Sequence, residues 1–94
     1  MSYRSYKMLT VYSKNHCPFC DKAKHLLKTN GFAFEEIKID EDSEARDWLI
    51  AQGHRTAPQI YLGEHLFVEG GYQGLAKLSA EQIQERIGVL SVSN

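Results

Sequence analysis

A strand, a tight loop and the first turns of a helix follow one another in residues 8–28, MLTVYSKNHCPFCDKAKHLLK. Apolar and polar residues alternate over residues 8–13, which is the period of a short strand with one buried face. Apolar residues then recur at helical spacing from 23 to 27. Pro18 suits a first helical turn, because the N–H that proline lacks would have no intrahelical partner there. This order predicts a helix that begins near Pro18 and places Cys17 at the carboxyl edge of the strand.

The remaining sequence predicts a second strand and helix, a β-hairpin and two final helices. Two short apolar runs flanking Gly63 and Glu64 indicate the hairpin, and the capping-box spacing of Ser79 and Gln82 indicates the last helix. A parallel β-α-β unit followed by a hairpin gives an α/β fold, a four-stranded mixed sheet flanked by helices on both faces. The predicted segments are a helix from Pro18 to Gly31, a strand within 34–40, a helix from the acidic residues 40–44 to Gly53, strands at 58–62 and 65–69, a short helix around Leu75 and Leu78, and a helix from Ser79 to Gly88.

Length and composition indicate one globular domain. Of 94 residues, 43% are apolar and 24% are charged, which is enough for one hydrophobic core. We expect a single domain over 1–94, with 1–7 as an N-terminal extension and 89–94 as a loose tail. The 11 basic and 12 acidic residues leave a formal charge of -1 and form no basic stripe, which argues against nucleic-acid binding. With no apolar run of about 20 residues and no apolar signal segment, the chain predicts a cytoplasmic protein without membrane contact.

Cys17 and Cys20 are the two cysteines of the chain. A disulfide between them closes a loop too short to remove much entropy from the unfolded chain, so a stapled secreted scaffold is excluded. Tetrahedral zinc needs four ligands, and the histidines stand at no spacing that completes a site with this pair, so no metal is expected. Two inert buried cysteines are also disfavoured, because Lys14 and His16 make the local sequence polar. The favoured interpretation is a pair of thiols that cycles between oxidation states.

A C-x-x-C pair at a helix start supplies the parts of thiol–disulfide exchange: a thiolate, a leaving group and a second thiol. Unpaired backbone N–H groups and the helix dipole favour negative charge on Cys17, and Lys14 and His16 add positive potential. We therefore expect the pKa of the Cys17 thiol to lie below that of a free cysteine. Cys20 lies one turn further in and is expected to stay protonated until it attacks. The sequence predicts Cys17 as the nucleophile and Cys20 as the resolving thiol, with Pro18 shaping the turn between them.

Three motifs in order make the chain resemble the glutaredoxins from about Met8 to Ile87. Residues 14–20, KNHCPFC, resemble the dithiol glutaredoxin active site. Residues 55–58, RTAP, resemble the family's Thr-Val-Pro segment, whose proline is cis and packs beside the active-site disulfide. Residues 70–73, GGYQ, resemble the Gly-Gly-x-Asp segment that receives the γ-glutamyl end of glutathione. The resemblance implies a thioredoxin-like (glutaredoxin) fold and glutathione-dependent reduction of protein disulfides and glutathione mixed disulfides.

The same resemblance implies a glutathione-binding site around the cysteines. The residue before a cis proline keeps its N–H and C=O free, so Ala57 would pair with the cysteinyl part of glutathione as a short added strand. Lys14 and Arg55 would meet a glutathione carboxylate, and the glycine pair would let the backbone approach the ligand. Without the three motifs around them, Lys14 and Arg55 would be interpreted as solvated surface charges and the glycine pair as an ordinary turn. The implied set is Lys14, Phe19, Arg55, Thr56, Ala57, Pro58, Gly70, Gly71, Tyr72 and Gln73.

Two departures from the family pattern bear on the source of electrons. Gln73 stands where the family has an aspartate, so the contact with the glutathione amino group keeps an acceptor and loses a charge, a difference of about 1 kcal/mol. Ala57 replaces the usual valine. An Ala-Pro pair also occurs in glutaredoxin-like electron donors to ribonucleotide reductase, which draw on thioredoxin reductase but usually lack the Gly-Gly-Tyr seen here. Such a donor is the first alternative function.

A second alternative is a carrier that binds a [2Fe-2S] cluster between two protomers through Cys17 and two glutathiones. Pro18 argues against it, because such carriers more often have a small residue at that position. For the leading interpretation the expected partners are glutathione and proteins with disulfides or glutathionylated cysteines, with ribonucleotide reductase as a family-level acceptor. No nucleic acid, membrane or metal is expected as a partner, and a monomer is predicted.

Overall fold

The computed structural model describes residues 8–92, and its elements follow the order that the sequence predicts. The strands and helices alternate as β-α-β-α-β-β-α-α. Their bounds are β1 Leu9–Ser13, α1 Pro18–Thr29, β2 Phe34–Lys38, α2 Ser43–Ala51, β3 Gln59–Leu62, β4 His65–Leu66, α3 Tyr72–Ala76 and α4 Ala80–Val92.

Strand β1 lies inside the sheet, because both of its edges are paired. The strand order is β2-β1-β3-β4. β1 runs parallel to β2, with Leu9 opposite Phe34, and antiparallel to β3, with Leu9 opposite Leu62. β3 and β4 form the antiparallel hairpin. The mixed four-stranded sheet expected from the sequence is confirmed.

Side chains of β1 point alternately to the two faces of the sheet. Leu9 and Val11 are fully buried in one core cluster with Leu27 of α1. Tyr12 points the other way, and its ring lies 5.8 Å from the ring of Trp48 in α2. Helices α1 and α2 therefore cover opposite faces, which leaves the carboxyl end of β1 open between them.

Helix α4 begins with the predicted capping box. The backbone N–H of Ser79 donates to Oε1 of Gln82 at 2.9 Å, and the N–H of Gln82 donates to Oγ of Ser79 at 3.1 Å. These reciprocal bonds satisfy N–H groups that the first turn of a helix leaves unpaired. The helix then places Ile83 in the core.

Two expected boundaries are wrong. α4 continues to Val92, so residues 89–92 are not a loose tail; Leu90 packs against the core and offsets the low helix propensity of Gly88. Strand β4 covers only 65–66 of the predicted 65–69, because the carbonyl oxygen of Phe67 accepts a bond of 2.9 Å from Nε of Arg86. The predicted extension at 1–7 and the end of the tail at 93–94 lie outside the described residues.

A polar cluster joins helix α1 to the two parallel strands. Oε2 of Glu36 in β2 accepts a bond of 2.6 Å from the hydroxyl of Ser13 and one of 2.7 Å from Nζ of Lys24. Ser13 is fully buried, so its hydroxyl depends on this carboxylate. The hydrogen bond from Lys24, followed by that from Ser13, holds the pKa of Glu36 below its ordinary value. The cluster fixes α1 on the sheet close to the carboxyl end of β1.

Replacing Glu36 by alanine is expected to lower the free energy of unfolding by about 1 to 2 kcal/mol, because the buried Ser13 hydroxyl loses its acceptor. The ion pair between Glu36 and Lys24 adds little to the free energy of unfolding, because both side chains are partly exposed. Since the pKa of Glu36 is lowered in the folded state, the contribution is present at neutral pH and is lost as the pH falls through that lowered pKa. Denaturant unfolding at neutral and acidic pH measures this loss.

The matched control is Glu35→Ala, since Glu35 is the exposed neighbour in the same strand and its substitution should change stability by less than about 0.5 kcal/mol. Adding Ser13→Ala to Glu36→Ala should cost less than the sum of the two single changes, because both remove the same bond. Full additivity would show that Ser13 does not depend on the Glu36 carboxylate.

Candidate active site

Cys17 and Cys20 lie at the start of α1, where the chain leaves the carboxyl end of β1, and they form a disulfide bond. Cys17 is the N-cap residue, and its Sγ accepts a bond of 3.2 Å from the backbone N–H of Cys20. Pro18 occupies the first turn, as predicted. Cys17 is 7% exposed and Cys20 is 1% exposed. Cys17 is therefore the more solvent-accessible residue of the pair.

The loop before β3 faces the Cys17 sulfur. The Ala57–Pro58 peptide bond is cis, as the resemblance implied. Sγ of Cys17 lies 3.9 Å from the carbonyl oxygen of Ala57. Nε2 of the buried Gln59 donates to the carbonyl oxygen of Thr56 at 2.9 Å and lies 3.3 Å from its Oγ1. This bond holds the loop in a fixed relation to β3.

Two glycines bring the turn before α3 against the same loop. Gly70 and Gly71 have φ of 87° and 59°. A Cβ at Gly71 would collide with the carbonyl oxygen of Pro58, and one at Gly74 would collide with that of Glu69. Gly71 therefore makes room for the protein's own backbone, a role that the sequence-based expectation of a close ligand approach did not include. Gly74 has a similar packing role, which no motif indicated.

Aromatic side chains extend the site along α1 and α3. The ring of Phe19, which is 47% exposed, stacks on that of Tyr72 with centroids 6.1 Å apart. Nζ of Lys22 lies 5.3 Å from the centre of the Phe19 ring and 5.9 Å from that of Tyr72. A cation over two aromatic rings is attracted to both. Together the Phe19 and Tyr72 rings form an apolar surface beside the cysteines, with the positive charge of Lys22 over it.

Three predicted ligand contacts are solvent-exposed. In the part of the chain that the structure describes, the side chains of Lys14, Arg55 and Gln73 are exposed and make no hydrogen bond or ion pair. They stand in segments that the contacts above join together: Lys14 before the cysteines, Arg55 in the Ala57 loop, and Gln73 after the glycine turn. The geometry thus brings the three motifs to one edge of the fold and leaves these polar groups available to a ligand.

An aromatic cluster around Tyr61 has no counterpart among the motifs of the sequence. Nε2 of His54 lies 2.6 Å from the hydroxyl of Tyr61 in β3, and the Tyr61 ring packs 5.1 Å from Trp48 and 5.7 Å from Tyr12. Burial raises the pKa of the Tyr61 hydroxyl, so it stays a neutral hydrogen-bonding group. The hydrogen bond ties His54, three residues before Ala57, to strand β3. The members of the cluster are too far apart in sequence for a motif to show it.

The sequence that builds this site matches a known family. The family model described as Glutaredoxin covers residues 9–67, which include β1, both cysteines and the hairpin. The chain belongs to the glutaredoxin family. It is therefore a thiol–disulfide oxidoreductase with a redox-active cysteine pair on a thioredoxin-like fold.

Relatives within the family carry two kinds of name. The chain is 38% identical over 72 residues to Glutaredoxin 3 of Escherichia coli (strain K12), covering 74% of this chain and 83% of the relative. It is 42% identical over 72 residues to the glutaredoxin-like protein NrdH of Lactococcus lactis subsp. lactis, covering 77% of this chain and 100% of the relative. Among solved structures, the glutaredoxin-like NrdH-redoxin of Escherichia coli, which is described as having a thioredoxin-like activity profile, matches with a TM-score of 0.64 and 30% identity over 77% of this chain and 95% of that one.

Two kinds of site are absent from the described residues of this glutaredoxin. Over residues 8–92, no group of three or more His, Cys, Asp or Glu side chains is arranged to hold a metal ion. Within the same residues no helix has the length and apolar character to cross a membrane.

Proposed function

We propose that this glutaredoxin is a glutathione-dependent oxidoreductase that reduces protein disulfides and glutathione mixed disulfides through a cycle of Cys17 and Cys20. One observation carries the proposal. The sulfur of Cys17 caps the first turn of α1, accepts the N–H of Cys20, and lies 3.9 Å from the carbonyl oxygen of Ala57. A nucleophilic sulfur beside a free backbone edge suits a peptide-like thiol substrate.

The proposed cycle balances two electrons. The Cys17 thiolate attacks one sulfur of a target disulfide, whose S–S bond breaks, and the leaving thiolate takes up a proton. Cys20 then loses its proton and attacks Sγ of Cys17, which forms the Cys17–Cys20 disulfide and releases the second target thiol. One glutathione opens this disulfide by bonding to Cys17. A second glutathione releases oxidised glutathione and restores the dithiol.

Geometry favours Cys17 as the attacking thiol. It is the more exposed of the pair, whereas Cys20 faces the core. The N–H of Cys20 that donates to Sγ of Cys17 in the disulfide form is in place to donate to the thiolate after reduction. Hydrogen bonding and a helix N-terminus both stabilise a thiolate. The lowered pKa of the Cys17 thiol stays a prediction for the reduced protein.

Glutathione is proposed to lie across the exposed edge that the three motifs form. Its cysteinyl backbone would pair with Ala57 and place its sulfur against Cys17. A carboxylate would meet Lys14 or Arg55, which are exposed and unpaired among the described side chains. The remaining proposed contacts are Phe19, Thr56, Pro58, Gly70, Gly71, Tyr72 and Gln73. The relative named Glutaredoxin 3 supports this proposal. The cycle needs the cysteines of one chain only, so we propose a monomer. A dithiol that glutathione restores suits a reducing compartment, so we propose a cytoplasmic location.

A second candidate function is an electron donor that thioredoxin reductase recharges and that supplies ribonucleotide reductase. Gln73 favours it, because a neutral amide stands where glutathione binding in the family uses a carboxylate. The 42% identity to a protein named NrdH gives it further support. The two candidates share the chemistry of Cys17 and Cys20 and differ in the reductant.

The deciding experiment gives the oxidised protein each reductant separately. NADPH consumption is followed with glutathione and glutathione reductase in one assay and with thioredoxin reductase in the other, with a small disulfide protein as the acceptor. Turnover with glutathione supports the leading proposal. Turnover with thioredoxin reductase and none with glutathione would replace it with the second candidate.

Substituting Gln73 by aspartate is expected to lower KM for a glutathionylated substrate by about fivefold to tenfold, because a charged hydrogen bond to the glutathione amino group is about 1 kcal/mol stronger than a neutral one. kcat should change little. The matched control is Gln84→Asp, since Gln84 is an exposed glutamine on α4, and it should leave KM unaltered. An equal KM in the wild type and Gln73→Asp would remove Gln73 from the proposed contacts.

A further inference from the structure

Asn15 joins the loop before Cys17 to the chain that follows β2. Its backbone N–H donates to Oδ2 of Asp40 at 2.9 Å, and its Nδ2 donates to Oε2 of Glu41 at 2.8 Å. Its Oδ1 accepts a bond of 3.1 Å from Nζ of Lys38. The backbone N–H of Asn15 and both polar atoms of its side-chain amide are thus hydrogen-bonded.

The partner segment, residues 38–41, is itself fixed to the end of β1. The N–H of Ile39 donates to the carbonyl oxygen of Ser13 at 2.7 Å, which continues the parallel pairing one bond beyond the strands. The N–H of Glu41 donates to the carbonyl oxygen of Lys38 at 3.1 Å and closes a turn. The backbone bond from Asn15 is the largest cause of the lowered pKa of Asp40, so its carboxylate is ionised at neutral pH. Asn15 is therefore hydrogen-bonded to a segment whose own position is fixed by the end of β1.

His16, between Asn15 and Cys17, has φ of 58° and is the non-glycine residue with positive φ in the described chain. For an ordinary residue the left-handed conformation costs about 1 to 2 kcal/mol, and it persists only where neighbouring contacts impose it. On one side of His16 stands the anchored Asn15. On the other, Cys17 takes the extended conformation of an N-cap, with φ of -123° and ψ of 98°. The backbone turns at His16 from the direction of β1 into α1, and this turn sets where Sγ of Cys17 lies.

We propose that Asn15 is a positioning residue for Cys17: by anchoring the chain before His16 it imposes the left-handed conformation there and so aims Sγ of Cys17 at the N–H of Cys20. The proposal rests on Cys17 as the nucleophile of the proposed function. It goes beyond that function by assigning part of the thiol's reactivity to a side chain that touches neither sulfur nor substrate. A role confined to stability would leave that reactivity unchanged.

The test measures alkylation of the reduced protein by iodoacetamide as a function of pH, with the modified cysteine identified by mass spectrometry. In Asn15→Ala, the midpoint of Cys17 alkylation should move to higher pH by about one unit, which lowers the thiolate fraction near pH 7 by up to about tenfold. Thermal unfolding is recorded in parallel. The matched control is Asn30→Ala, which removes the bond of 2.8 Å from Nδ2 of Asn30 to the carbonyl oxygen of Leu26 at the far end of α1. It should lower stability without moving the midpoint.

A rescue variant separates positioning from other effects. Glycine adopts positive φ without steric cost, so His16→Gly should return most of the lost reactivity in the Asn15→Ala background, with His16→Gly alone as the reference. A midpoint unchanged in Asn15→Ala, with reduced stability, would overturn the proposal, and so would a shift that His16→Gly leaves uncorrected. Alkylation confined to Cys20 would instead contradict the proposed function, because Cys17 would not be the reactive thiol.

Discussion

Replacing Cys17 by serine is expected to abolish the reduction of protein disulfides and of glutathione mixed disulfides, with turnover falling by more than about a thousandfold. A serine hydroxyl cannot form the mixed disulfide through which every step of the proposed cycle passes. The measurement is turnover with a protein disulfide and with a glutathionylated substrate, at saturating glutathione and glutathione reductase. Unfolding of Cys17→Ser and wild type, both reduced, checks that the fold is intact.

The matched variant is Cys20→Ser, which removes the resolving thiol and keeps the attacking one. It should lose reduction of protein disulfides and retain reduction of glutathionylated substrates, because a second glutathione can release the mixed disulfide on Cys17 directly. The difference between the substrates therefore reports the two roles. Equal loss of deglutathionylation in both variants would contradict the assignment of nucleophile and resolving thiol.

Replacing Gly71 by alanine is expected to lower the free energy of unfolding by about 4 kcal/mol. Part of the cost is backbone strain, since φ of 59° with ψ of -127° is a region that residues with a Cβ avoid. The rest is overpacking, because the new Cβ would meet the carbonyl oxygen of Pro58, which is backbone and cannot swing aside. Denaturant unfolding gives the value.

Gly63→Ala is the control for strain alone. Gly63 has φ of 64° in the hairpin, and a Cβ there would have no neighbouring atom within 4 Å. Its substitution should cost about 1 to 2 kcal/mol. If Gly71→Ala costs no more than Gly63→Ala, the turn before α3 does not press on the Pro58 loop as described. Because that contact joins two of the three motifs, Gly71→Ala should also lower turnover with glutathione at temperatures where it remains folded.

Local signals in the sequence were reliable where one short segment contains both partners of an interaction. Ser79 and Gln82 cap α4 as their spacing predicts, and Pro18 stands in the first turn of α1. α4 continues past Gly88, because the packing of Leu90 against the core outweighs the local helix-breaking tendency of glycine. β4 ends earlier than its apolar run predicts, because the carbonyl oxygen of Phe67 accepts a bond from Arg86, 19 positions away.

Contacts between distant segments account for what the sequence left open. Asn15 meets Asp40 across 25 positions, so no local pattern marks it as an anchor for the cysteine loop. Gln59 holds the backbone of Thr56, and Gly71 accommodates the carbonyl oxygen of Pro58. Each of these depends on where two loops meet once the sheet has formed.

Local patterns in the sequence are enough to predict the element order, the cysteine pair at a helix start and the family, because strand and helix periods, caps and motif residues act over a few positions. The direction of the Cys17 sulfur depends instead on tertiary contacts. The Ala57 carbonyl, the Asp40 carboxylate that binds Asn15 and the glycine turn against Pro58 come from segments that are separated along the chain. The parallel pairing of β1 with β2 and the antiparallel pairing of β1 with β3 bring those segments to one edge of the sheet, and the geometry of that edge is a property of the packed fold.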